Sequence, residues 1–186
     1  MVGTVLVLSE VSQKVNTPEL VKTSFETAGQ AVAGAVTPDI LYSDPVRLTI
    51  PKIAVDANIQ QMGLTTEGDM EAPQTNEDAG WYKFGAEPGN EGSAVIAGHL
   101  GLNDDAVFGK LKLLQAGDSV ETVDSRGQKA TFIVKETRRY GYDEAPEEVF
   151  RSASGTHLNL ITCDGDWNSD QNTYADRLVV FTEKRS

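Results

Sequence analysis

The sequence predicts an all-β domain, a closed barrel or a sandwich, preceded by a helical N-terminal segment. Three observations carry this. From Val46 onward, short apolar or alternating runs recur seven or eight times, each bounded by Gly, Pro, Asn or Asp. Stretches with helical spacing are few and short among them. Before residue 44 the pattern differs, with apolar residues three and four apart. At 186 residues the chain is long enough for one domain with its own core.

In chain order, the run from Val2 to Leu8 is apolar but far short of the ~18–20 residues that cross a bilayer. It reads as a short strand or the tail of a membrane anchor. No basic flank or cleavage site marks it as a signal peptide. Thr17-Pro18-Glu19 is a helix start: a cap, a proline in the first turn, and an acid near the positive end of the helix dipole. Val21, Phe25, Ala28, Val32 and Val36 form one apolar face, weakened by Gly29 and Gly34. A helix near 18–33 and a link through Thr37-Pro38-Asp39 follow. Residues 1–43 are read as this helical and linker segment, and residues 44–186 as the β domain.

Val46 to Ile50 alternates, and Pro51 places an edge or bulge there because it cannot donate to a ladder. Lys52 to Ile59 continues the strand, and Thr66 to Asp69 is a turn. Asp78 to Tyr82, a breaker-rich loop from Glu87 to Gly92, and the strand Ser93 to His99 come next. Val107 to Leu114 has helical spacing and stops at Ala116-Gly117-Asp118, so one short helix is expected. Ser119 to Asp124 and Lys129 to Tyr140 alternate about an Arg126-Gly127 turn and form a hairpin. Asp143 to Ser154 is a loop with one helical turn at Pro146 to Phe150. The strand Leu158 to Cys163 is expected to stop at the Asp164-Gly165 turn. A polar loop then leads to the last strand at Asp176.

A net charge of −12 disfavours a nucleic-acid role, because phosphates need a basic face. The acidity suits a soluble surface, a cation or a basic partner. One cysteine excludes an internal disulfide. That cysteine, Cys163, closes one apolar strand. His99, one of two histidines, closes another, and Arg177 opens a third. Singly, each has a plainer role: a small buried thiol, a surface histidine, a surface ion pair. Together, at strand ends, they are the parts a thiol acyl-transfer site needs. Thr162, one residue before Cys163, takes the opposite strand face and supports the site or touches substrate. His157 lies at the far end of the same strand and reads as a surface residue.

Ile50-Pro51-Lys52-Ile53, Gly80-Trp81-Tyr82, Pro88-Gly89, Ala94 to His99, Leu160-Ile161-Thr162-Cys163 and Asp176 to Val180 occur in the order seen in sortases. The resemblance spans residues 44 to 184. Thr-Cys closing a strand, with Arg opening the next, is its most specific part. The Gly-Trp-Tyr and Pro-Gly stretches look most like class F. Asn159 departs from the threonine common in the family, and as a strand-surface residue it is expected to leave the chemistry alone.

This resemblance implies a closed eight-stranded β-barrel with short helices. It implies a cysteine transpeptidase at the outer face of a bacterial cytoplasmic membrane. Such an enzyme cuts a Leu-Pro-any-Thr-Gly sorting motif between Thr and Gly. It passes the acyl group to an amine on a peptidoglycan precursor or a pilin. Cys163 is then the nucleophile, His99 the acid and base, and Arg177 the oxyanion partner. The segment with Ala145, Pro146, Val149 and Phe150 walls the Leu-Pro pocket, unless Val149 and Phe150 only pack the helical turn onto the barrel. No cofactor is implied, although Asp143, Glu144, Glu147 and Glu148 form an acidic cluster and some sortases bind calcium near such a place. Trp81 and Tyr82 read as core residues more than groove residues. Two other functions fit the same residues: a cysteine endopeptidase in which water takes the acyl group, and a non-catalytic barrel that binds its ligand without chemistry. No side chain that orients His99 can be named from sequence.

Overall fold

The computed structural model describes residues 41–186 except 67, 145, 152 and 153. The expected helix near 18–33, the Val2 to Leu8 run and Ala145 lie outside the described residues. Eight strands close into a barrel: β1 (Pro45–Ile50), β2 (Val55–Met62), β3 (Ala79–Tyr82), β4 (Gly92–Ala97), β5 (Ser119–Asp124), β6 (Lys129–Gly141), β7 (Thr156–Asn168) and β8 (Thr173–Lys184). Their spatial order is β1-β2-β3-β4-β7-β8-β6-β5, and β5 pairs back onto β1. Closure removes every sheet edge, which decides for the barrel over the sandwich. One α-helical turn, α1 (Glu147–Phe150), lies between β6 and β7.

Side chains that alternate inward along the strands fill the barrel. Leu48, Ile50, Phe132, Leu158, Leu160 and Val180 are fully buried. A second, smaller cluster of Val95, Val149 and Val179 forms on the outside, under α1. This explains why β4, β7 and β8 read as near-continuous apolar runs. Their inner faces meet the core and their outer faces meet the helical turn, so both sides are dry.

Three expectations are corrected. Residues 107–114 form only a 3-10 turn at Leu111–Leu113. Phe108 and Leu111 are fully buried, so this segment plugs the barrel instead of lying on it as a helix. Pro51 starts a 3-10 turn at the β1–β2 corner, where Ala54 takes a left-handed φ of 57°, so β2 begins only at Val55. β7 does not stop at Asp164-Gly165. It runs on to Asn168, and the ladder to β8 shifts register between Asp164 and Trp167. Gly165 has a φ of 78°, a conformation that suits glycine, so the Asp-Gly pair makes a bulge and not a turn. Beyond it, Trp167 packs edge-on against Tyr174 at 5.2 Å and extends the hairpin. Arg177 consequently lies inside β8, not at its start.

Candidate active site

Alternation along β7 turns Asn159, Ile161 and Cys163 outward, while Leu158, Leu160 and Thr162 face the core. On β8 the register places Arg177 opposite Cys163, Val179 opposite Ile161 and Phe181 opposite Asn159. On β6 it places Tyr140 opposite Arg177. β4 runs parallel to β7 with Ala97 opposite Ile161, and Gly98 N donates to Ile161 O at 3.0 Å. His99 follows Ala97 by two residues, just past the end of β4, and lines the same groove as Cys163. One row across β7, β8 and β6 carries Cys163, Arg177 and Tyr140.

These residues line a groove of about 610 Å³ whose apolar walls include Met70, Val149, Phe150 and Val179. Cys163 is a free, half-buried thiol. His99 is half-buried, with Nε2 2.8 Å from the Pro73 carbonyl. The Arg177 guanidinium is held by neutral groups. It donates to Tyr174 O at 3.1 Å, to Asp176 O at 3.0 Å and to Thr173 Oγ1 at 3.0 Å. None of these partners cancels its charge.

The outer wall is α1. Val149 is 1% exposed and packs on Val95 and Val179. Asn159 Nδ2 donates to Val149 O at 2.6 Å. Glu148 accepts from the Tyr140 hydroxyl at 2.8 Å and from Arg138 at 2.9 Å. Burial, then the bond to Glu148, pushes the Tyr140 phenol up from its usual range. Phe150 is 36% exposed and rests edge-on against Tyr82, which meets Phe84 the same way. Val149 and Phe150 thus both pack the turn onto the barrel and line the groove. Pro146 lines it too. Thr162 borders the groove from the inward face and is buried, and its hydroxyl has no hydrogen-bond partner among the described residues. Trp81 is a core residue, with Nε1 donating to Ala86 O. His157 bonds Ser154 O and lies away from the groove.

Asn159 is not a surface residue. It is 1% exposed, because α1 covers the outer face of β7 exactly where an open strand was expected. The acidic cluster does not converge: Glu148 is committed to Arg138 and Tyr140, and among the described residues no group of three or more His, Cys, Asp or Glu is placed to hold a metal ion. Sequence reasoning missed Tyr140, Met70 and Pro73. Tyr140 was legible only as one position of an alternating strand. Met70 and Pro73 stand in a polar, breaker-rich stretch without periodicity.

A family model for the sortase domain matches residues 48–185. The chain belongs to the sortase family. Membership implies a cysteine transpeptidase that acts on sorting motifs at the bacterial cell surface. Solved sortases share its fold. Sortase C-1 from Actinomyces oris is 23% identical, with a TM-score of 0.60 over 77% of this chain and 76% of its own. A lid mutant of Streptococcus agalactiae sortase C1 is 22% identical, with a TM-score of 0.59 over 76% of this chain and 68% of its own. Sortase A from Corynebacterium diphtheriae is 20% identical, with a TM-score of 0.58 over 78% of this chain and 62% of its own. No curated protein matches the sequence. Among the described residues of this sortase, no helix is long and apolar enough to cross a membrane.

Proposed function

We propose that residues 44–186 form the catalytic domain of a class F-like sortase that cleaves a Leu-Pro-any-Thr-Gly sorting motif between Thr and Gly, with Cys163, His99 and Arg177 as its catalytic residues. The observation that carries this reading is that His99, Cys163 and Arg177 line one groove, with Arg177 opposite Cys163 in the β7–β8 register. The class F reading rests on Gly80-Trp81-Tyr82 and Pro88-Gly89.

The Cys163 thiolate attacks the threonine carbonyl carbon, since the thiolate and not the thiol is the competent nucleophile. An S–C bond forms and negative charge moves onto the carbonyl oxygen. Arg177, fixed by three neutral acceptors, presents its positive charge to that oxygen. The C–N bond then breaks, and the leaving glycine nitrogen takes a proton from the His99 imidazolium. A thioester remains on Cys163. An incoming amine gives a proton to neutral His99, attacks the thioester and releases the thiolate. The leucine and proline of the motif sit against Pro146, Val149 and Phe150, with Thr162 bordering that pocket. The acceptor is an amine of a peptidoglycan precursor or a pilin subunit, and the site of action is the outer face of the bacterial cytoplasmic membrane.

The test is mass spectrometry of the protein incubated with a Leu-Pro-any-Thr-Gly peptide panel, with and without an added amine. A Cys163 adduct and an amine-linked product are expected. Hydrolysed peptide alone in both conditions removes the transferase and leaves an endopeptidase. No adduct and no turnover leaves a non-catalytic barrel.

A further inference from the structure

His99 Nε2 faces the carbonyl oxygen of Pro73 at 2.8 Å. A carbonyl oxygen has no hydrogen to give, so Nε2 must carry one. We infer that the Pro73 carbonyl is the positioning partner of His99, holding a proton on Nε2 in both charge states, and that Nδ1 is the atom that gives and takes the proton in acyl transfer.

Pro73 belongs to the strap between β2 and β3, and the strap is tied down along its length. Glu71 N donates to Gly63 O at 3.1 Å, and Gly63 N donates to the Glu71 carboxylate at 2.7 Å. Gln74 N donates to the Gln60 side chain at 3.2 Å, and Val107 N donates to Asn76 O at 2.8 Å. Pro73 itself is buried. Beneath it lies Gly80, where a Cβ would come within 2.5 Å of Met62 Cγ and 3.1 Å of Pro73 Cγ. The glycine of Gly80-Trp81-Tyr82 therefore lets the strap settle low enough for its carbonyl to meet the imidazole. The histidine backbone is fixed from the other side, since Phe108 N donates to His99 O at 3.0 Å and Gly98 N to Ile161 O at 3.0 Å. Strap and strand together set the ring plane. A backbone carbonyl here does what a carboxylate does in a Ser-His-Asp triad: it selects the tautomer and aims the other nitrogen.

The proton balance follows from one nitrogen being reserved. As the C–N bond of the substrate breaks, the Nδ1 proton passes to the leaving nitrogen, and neutral imidazole remains with its hydrogen on Nε2. The incoming amine returns a proton to Nδ1. The Nε2 proton never leaves.

The chain has two histidines, which makes the test direct. In protein labelled with 15N-histidine, the His157→Gln variant leaves only the His99 signals. Neutral His99 is expected to show a pyrrole-type Nε2 and a pyridine-type Nδ1, with pH moving the Nδ1 signal between its free and protonated positions. A neutral ring protonated on Nδ1, or an equal mixture of tautomers, overturns the inference. In Gly80→Ala the added methyl displaces the Met62 side chain and presses on Pro73 of the strap. The tautomer is then expected to become mixed, and kcat to fall on the order of ten- to a hundredfold with KM for the peptide nearly unchanged. A fall in kcat with an unaltered His99 spectrum argues against the strap as its cause. Should Gly80→Ala not fold, the spectrum of the otherwise native chain still decides. The last step rests on the proposed role of His99, but the spectrum does not. If no peptide is processed while Nε2 keeps its proton, the functional reading fails and the positioning stands. If peptide is processed by a ring protonated on Nδ1, the positioning fails alone.

Discussion

Replacing Asn159 with Ala should loosen the groove wall without touching Cys163, His99 or Arg177. The side chain is 1% exposed and donates to Val149 O at 2.6 Å. Its removal strips that carbonyl of a buried donor, a loss worth about 1–3 kcal/mol. The lower half of that range applies, because Asn159 Oδ1 has no partner among the described residues and its deletion relieves a buried polar atom. At about 1–2 kcal/mol, a domain of this size should lose roughly 2–8 °C in Tm. The destabilised contact is the one that docks α1, so the wall formed by Val149 and Phe150 spends more time open. Peptide KM should rise several-fold, with kcat within about a factor of two. The control is Thr182→Val. Thr182 is 1% exposed and donates to Leu158 O at 2.7 Å on the inner side of the same strand pair. It should lower Tm comparably and leave KM alone. The assays are thermal unfolding by circular dichroism and steady-state kinetics on a motif peptide. If Asn159→Ala and Thr182→Val give the same KM as the native protein, Asn159 acts only on stability. If Asn159→Ala leaves Tm unchanged, the hydrogen bond itself contributes nothing.

The other predictions concern the row and the barrel corner. Cys163→Ala should abolish both adduct and turnover while leaving Tm nearly unchanged, read by mass spectrometry and thermal melting. Arg177→Lys keeps the charge but cannot hold Tyr174 O, Asp176 O and Thr173 Oγ1 at once, so kcat should fall roughly 100- to 1000-fold in a peptide assay. Asp124 is 3% exposed; burial pulls its carboxyl up, but the N–H groups of Ser43, Gln128 and Arg126 and the Ser43 hydroxyl outweigh this and hold it below the usual range. A folded-state pKa below the unfolded value means that this stabilisation is complete above about pH 3.9 and is lost as pH falls through the folded value. Asp124→Asn should therefore cost about 2–3 kcal/mol at neutral pH and flatten the acid limb of a Tm–pH series, and an unaltered limb would refute the assignment.

Much of this was legible in the chain. The β5–β6 hairpin is announced by strict alternation at Ala130, Phe132 and Val134 about an Arg-Gly turn, because one face is core and the other is wet. The helical turn at Glu147–Phe150 is announced by Pro146 and the acids after it. His99, Cys163 and Arg177 were legible as a set of residue types near the ends of apolar runs. What failed was local reasoning about Asp164-Gly165. A dipeptide that usually turns a chain was overruled by cross-strand pairing of Trp167 with Tyr174, a contact that sequence spacing does not display. Asn159 was misjudged for the same reason, since only the docking of α1 makes that strand face an interior.

By itself, the sequence determined that seven or eight strands alternate, the side each strand residue takes, and the chemistry available: a lone thiol, with a histidine and an arginine near the ends of apolar runs. Period-two alternation is a property of the backbone and can be read without coordinates. Tertiary structure alone decided the register between strands distant in sequence. That register brings Ala97 beside Ile161 and Cys163 beside Arg177, and it brings the Pro73 carbonyl to His99. These meetings depend on barrel closure and on a glycine that lets two segments touch, and neither leaves a periodic trace in the chain.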